Sequence, residues 1–201
     1  MTDEGSQSDR PGDRRAFFRQ GLGQLLRPLA GYVEQRFNLP APRLLLRPPG
    51  ALPEESFLET CYRCGNCAEV CPADAIKLHP GGRGDDAAQA GTPVIDANEA
   101  ACVVCDDIAC TKACPSGALF ELTMPAEIHM GLAVVDHRLC VRSHGQDCRE
   151  CVDKCPIGET AIALTGRKKQ TLEVFSDGCV GCGVCQLYCP TQPKAIVVDP
   201  I

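Results

Sequence analysis

The sequence predicts an α+β fold of small sheets and much loop, made from four copies of one short unit. Three observations predict it. The 16 cysteines among 201 residues fall into four tight groups of four. Proline follows the last cysteine of every group, as Pro72, Pro115, Pro156 and Pro190. Each group is also flanked by short apolar stretches of strand character.

The composition explains why cysteine leads. The chain is 44% hydrophobic, and about 36% once cysteine is set aside, low for a well-packed domain. It has no Trp, six Phe and three Tyr. Small folds with so thin an aliphatic core rely on disulfides or metal. A disulfide framework scatters its cysteines to reach partners at a suitable separation. Here long cysteine-free stretches separate the groups, which points to metal.

The first unit holds Cys61, Cys64, Cys67 and Cys71 in the spacing C-x2-C-x2-C-x3-C-P. The second holds Cys102, Cys105, Cys110 and Cys114, with two extra residues between its second and third cysteines. The third holds Cys140, Cys148, Cys151 and Cys155, with seven residues between its first two. The fourth, Cys179, Cys182, Cys185 and Cys189, repeats the spacing of the first. This is the bacterial ferredoxin run, in which three thiolates hold one 4Fe–4S cluster and the fourth ligates the other cluster of a pair. Sixteen cysteines used in this way hold four 4Fe–4S clusters. Zinc, the chemical rival, takes two separate CxxC knuckles rather than a single run of three or four cysteines.

The spacing has a physical reason. Three thiolates in a tight loop grip three irons, and a short helix from the third cysteine carries the fourth thiolate one turn onward, at i+4. Proline then ends that helix. Strand candidates follow the prolines at Ala75–Leu78, Ala118–Phe120, Ala161–Leu164 and Ala195–Val198. Others precede the loops at Pro93–Asp96, Leu132–Asp136 and Leu172–Phe175. The unit thus reads strand, loop, short helix, strand, recurring about every 35 to 45 residues. Two units pair into one ferredoxin-like module, giving two paired modules. Nested pairing (first with fourth, second with third) is favoured because it joins units of like spacing; sequential pairing is the alternative.

The expected organisation is an arginine-rich segment and linker at 1–50 and a four-cluster domain at 51–201. Its units lie around 61–78, 102–120, 140–164 and 179–199. Leu44–Ala51 reads as linker, and Gly81–Asp86 as a flexible loop. In the first segment Arg14-Arg15-Ala16-Phe17-Phe18-Arg19 has the look of a twin-arginine export signal. The apolar run after it is interrupted by Gln24 and Arg27, and no Ala-x-Ala precedes the cluster domain. Phe18, Leu22, Leu25, Leu26, Leu29 and Val33 instead recur at helical intervals, the stripe of a docking helix that Pro28 would kink. That favours the cytoplasm, with periplasmic export through a degenerate signal as the alternative. Association with a membrane surface or a complex would run through this segment. No stretch is long and apolar enough to span a membrane.

Nothing else reads as catalytic, so the chain is expected to be an electron carrier and not an enzyme. His79, His129, His137 and His144 are dispersed, and no nucleotide, flavin or molybdenum-cofactor fingerprint is present. Tyr62, Tyr188, Phe120 and Phe175 flank the loops, where they either shield iron or pack the core. Residues 61–201 carry 12 Lys+Arg and 18 Asp+Glu. Oxidised clusters with four thiolates add about −2 each, which excludes nucleic acid as a ligand and favours basic surfaces on partners.

The residues also resemble a family. Cys102-Val-Val-Cys105 through Cys110-Thr-Lys-Ala-Cys114-Pro115-Ser116-Gly117-Ala118-Leu119 is similar to the second cluster motif of NapG/MauM-type polyferredoxins. So are Met130–Asp136 before the third group, Ser176–Gly183 at the fourth, and the lead-in Leu46–Ala51 with Phe57-Leu58. The resemblance covers residues 44–201. It implies four 4Fe–4S clusters and transfer of electrons from quinol-oxidising or membrane partners toward a periplasmic reductase or dehydrogenase. The partner classes are therefore a membrane quinol dehydrogenase or a soluble oxidoreductase. The alternative function is a cytoplasmic accessory that helps mature another metalloenzyme.

Overall fold

The computed structural model describes residues 45–167 and 171–201. Leu44–Ile201 forms one compact unit. The docking helix and the export signal expected before Arg43 lie outside the described residues. Among the described residues no helix is long and apolar enough to cross a membrane.

Among the described residues, five short helices and six short strands alternate with loop. They are α1 (Glu54–Thr60), α2 (Asn66–Glu69), β1 (Ile76–Leu78), β2 (Pro93–Ile95), α3 (Ala109–Lys112) and β3 (Gly131–Val135). Then come α4 (Glu150–Asp153), β4 (Ile162–Thr165), β5 (Thr171–Val174), α5 (Val184–Leu187) and β6 (Ile196–Pro200). The strands make three two-stranded antiparallel sheets, so the α+β expectation of small sheets and much loop describes the chain.

The sheets repeat one plan. β1 pairs with β2, Ile76 opposite Ile95, and so joins the strand after the first cysteine group to the strand before the second. β4 and β5 do the same between the third and fourth groups, Ile162 opposite Val174. β3 and β6 join the lead-in of the third group to the tail of the fourth over five residues, Gly131 opposite Pro200 to Val135 opposite Ile196. The corresponding pair in residues 45–128 shrinks to one bridge, Ala51 opposite Leu119. Each tail buries one large aliphatic, Ile76, Leu119, Ile162 or Ile196, at 2 to 3% exposure. In β6 the buried Ile196 and Val198 alternate with the exposed Val197 and Asp199, the pattern of a strand that covers a core on one face only.

Three expectations change. Residues 46–50, read as linker, are buried. Arg47 is the reason: its guanidinium forks onto the Glu54 carboxylate, donates to Thr92 Oγ1 and Pro93 O, and lies 4.7 Å over the Phe57 ring. An arginine whose three nitrogens all donate is at home in a core. α1, which carries Phe57, was not foreseen. It starts after Pro53 with Glu54 and Glu55 in its first turn, where acids suit the helix dipole. The loop read at Gly81–Asp86 runs into a 3-10 turn, Gly84–Gln89.

Candidate metal centres

Each cysteine group begins as a loop and ends on a one-turn helix. In the first and fourth groups the turn into the helix is made by Gly65 (φ 82°) and Gly183 (φ 84°). In the second group, with its two extra residues, Ile108 takes that place at φ 41° while fully buried. A β-branched residue there is strained, and only close packing holds it. The helices start at Asn66 and Val184, one residue before the third cysteine.

The helices meet in sequential pairs, α2 with α3 and α4 with α5. Four cavities result, each lined by four cysteines. The first is lined by Cys61, Cys64, Cys67 and Cys114, with Phe57 and Ser116. The second is lined by Cys71, Cys102, Cys105 and Cys110, among Ile76, Ile95, Ile108 and Ile128. Cys155, Cys179, Cys182 and Cys185 line the third, beside Val174 and Val198. Cys140, Cys148, Cys151 and Cys189 line the fourth, beside Leu172 and Ile196. All sixteen cysteines are so used, three from one group and the last from its neighbour. Nested pairing, favoured by like spacing, is therefore not what the chain adopts. The hairpins β1–β2 and β4–β5 tie each group to the next one in sequence, and they override the match of spacings.

The cavities suit a cluster better than a single ion. Their empty space is about 310, 390, 340 and 310 Å³ from first to fourth, the mouths included. Among the described residues no three His, Cys, Asp or Glu side chains close on one point that would hold a single metal ion. Zinc needs that convergence. A 4Fe–4S cube needs thiols on several sides of an apolar void, which is what lines these four.

The surroundings also shift the thiols themselves. Burial, helped by neighbouring thiolates, pushes the Cys110, Cys151 and Cys182 thiols up to about 12 and Cys67 and Cys102 to about 11. Cys185 is raised further still by the same cause. Such thiols keep their protons at neutral pH unless a cation replaces them, so loading iron releases protons. Cys114 and Cys189 go the other way. Burial would raise them too, but hydroxyl donors Ser116 and Thr191, with nearby backbone amides, outweigh it and hold both below the usual thiol range.

None of the four histidines lines one of these four cavities. His79 accepts from Gly81 N, His137 meets Ser143, and His144 meets Arg138 O. Tyr62, Phe120 and Tyr188 are 72, 49 and 48% exposed, so none of them packs the core, while Tyr62 lines the first cavity. The buried aromatic at a cavity wall is Phe57, at 0%. Its signal was the apolar pair Phe57-Leu58 four residues ahead of Cys61. Ser116 and Thr191 were also passed over, although both follow a Cys-Pro pair.

Comparison with known proteins agrees. A 4Fe–4S dicluster domain family matches residues 60–118 and 145–192. The methylamine utilization ferredoxin-type protein MauM of Methylorubrum extorquens is 41% identical over 179 residues, 86% of this chain and 79% of its own length. The ferredoxin-type protein NapG of Escherichia coli is 42% identical over 166 residues, 78% of this chain and 71% of its own. The chain belongs to the NapG/MauM ferredoxin-type family. MauM of Methylobacillus flagellatus, at 43% over 80% of this chain and 71% of its own, lies as near. A chain of the formate dehydrogenase–heterodisulfide reductase–formylmethanofuran dehydrogenase complex of Methanospirillum hungatei is 26% identical over 72% of this chain and 50% of its own. Its TM-score is 0.28, too low to bear on the arrangement of the modules. Membership makes this an iron–sulfur protein of electron transport, and the two matched segments fit the repeat.

Proposed function

We propose that this family member carries four 4Fe–4S clusters in two paired modules and relays electrons between two redox partners. It would do so as a subunit or accessory of a respiratory-type oxidoreductase system, without substrate chemistry of its own. The observation that carries the reading is the lining of four cavities by four cysteines each, in the three-plus-one exchange that paired clusters require. In this assignment all sixteen cysteines are ligands.

The cavities also follow one another. The first and second share the α2–α3 pair, and the third and fourth share α4–α5. Between them Cys102 N donates to Cys182 O at 3.0 Å, so a cysteine of the second cavity touches one of the third. Clusters, when bound, supply one-electron chemistry; the chain sets their order, holds their walls apolar and keeps the thiols at fixed places. The partners we expect are a membrane quinol dehydrogenase or a soluble oxidoreductase.

Iron analysis tests this directly. The anaerobically purified chain should hold close to sixteen iron and sixteen labile sulfide (about four of each per cluster). Zinc, or half that iron, overturns the reading. For location we keep the cytoplasm, on the interruption of the apolar run after Arg19 by Gln24 and Arg27. Protein in the periplasm that is lost from it in an Arg14→Lys/Arg15→Lys variant would place the relay outside.

A further inference from the structure

Two hydroxyl groups occupy positions that ligation leaves unused. Ser116 and Thr191 each lie two residues beyond the last cysteine of their group. Ser116 Oγ is 3.5 Å from Cys114 Sγ, and Thr191 Oγ1 is 3.3 Å from Cys189 Sγ. The first and third groups carry Ala73 and Ile157 at that offset, which have no hydroxyl. Cys114 lines the first cavity and Cys189 the fourth, while Cys71 and Cys155 line the second and third. The hydroxyls are thus placed at both ends of the series and withheld from its middle.

The direction of these bonds follows from their surroundings. Ser116 Oγ already accepts Ala118 N at 3.3 Å, and Thr191 Oγ1 accepts Ala195 N at 2.8 Å. That fixes a lone pair of each oxygen toward the chain and leaves its proton to point elsewhere. Sulfur bound to iron is a thiolate with no proton to give. The hydroxyl is therefore the donor in both contacts.

We propose that Ser116 and Thr191 hold the two end clusters at a higher reduction potential than the two middle ones. The inference rests on the four-cluster relay. A donor to a ligating sulfur draws negative charge from the cluster, and reduction adds such charge, so the reduced form gains more. Ser116 and Thr191 are tuning residues rather than ligands. The first electrons taken up settle at the ends, and the step through Cys102 and Cys182 becomes the uphill part of the passage.

A redox titration of the full chain, followed by electron paramagnetic resonance, tests this. Ser116→Ala should move one of four transitions down, by about a tenfold change in its reduced-to-oxidised ratio at fixed potential, about 59 mV for one electron. Thr191→Val should move a different transition the same way, with the others still. Ser116→Thr should restore the first. Ala73→Ser, which adds the missing hydroxyl beside Cys71, should move a middle transition up, and it decides the matter should a deletion variant lose iron. Sixteen iron with unmoved transitions, or an equal shift of all four, overturns the inference alone. Wild-type protein short of iron strikes instead at the relay reading.

Discussion

Residues 45–128 and 129–201 are built on one plan but present different outsides. The first module carries 5 Lys+Arg against 13 Asp+Glu, a net of −8, and the second carries 8 of each, a net of zero. At the end of the first module Cys64 is exposed, with Tyr62 72% exposed beside it. At the end of the second, Cys140 is buried where the inserted residues form a 3-10 turn, Val141–His144. That insertion is tied down by an Arg142–Asp147 ion pair and by His144 against Arg138 O. The inner chemistry is shared, while access and field are not. A partner approaching the first end meets the stronger negative field, since bound clusters would add about the same charge to each module, and salt will screen it more there.

The modules also differ in how they close. The second seals its outer edge with the five-residue β3–β6 ladder, whereas the first has one bridge, Ala51 to Leu119, and the Arg47 latch. Removal of iron should erase this difference and has the largest expected effect. Chelated or oxidised protein should lose its cooperative thermal transition by circular dichroism, because both modules lean on metal more than on their thin cores. An apoprotein that still melts cooperatively would separate fold from cluster.

Gly181→Ala should act on the second module only. The added Cβ would stand 2.3 Å from Gly131 N, backbone that cannot yield, at a φ of 71°. Iron should fall from about sixteen toward twelve as the third cavity fails. The first module has Arg63 (φ 55°) and Val104 (φ 53°) at the same loop position, where side chains are accommodated. Val104→Gly should therefore leave the iron content unchanged. Equal loss of iron in both variants would break the contrast.

Arg47→Ala should destabilise the first module by about 3 kcal/mol, the usual cost of stripping one partner from a largely buried pair. Thermal melting of the loaded protein should show the first module unfolding earlier, with the second unmoved. A single unshifted transition would mean that the bridge alone closes the edge.

Much of this was legible in the sequence because cysteine spacing is a covalent ruler. Three thiols within a few residues, and a fourth one helical turn on, leave few ways to wrap a metal site. The apolar tails behind Pro72, Pro156 and Pro190 read plainly as strands, whereas the strand expected at Ala118–Phe120 is reduced to the bridge at Leu119. What could not be read was set by contacts far apart in the chain. Pairing followed the hairpins, whose register depends on Ile76 meeting Ile95 and Ile162 meeting Val174. Arg47 looked like one more linker arginine, since its partners Thr92 and Pro93 lie some 45 residues away. Ser116 and Thr191 were hidden by their ordinariness: a hydroxyl after Cys-Pro signals nothing until an amide is seen to orient it.

The exchange of one thiol between neighbouring groups bears on how the protein is made and how such chains grow. The first cavity waits for Cys114 before its set is complete, and the fourth waits for Cys189. A nascent chain stopped between the two groups of a module would present two unfinished sites, one with three cysteines and one with a single cysteine, rather than one finished and one empty. Loss of half a module by deletion would likewise cost two centres, not one. On the proposed four-cluster reading, lengthening such a chain by duplication would proceed by whole modules, in steps of two.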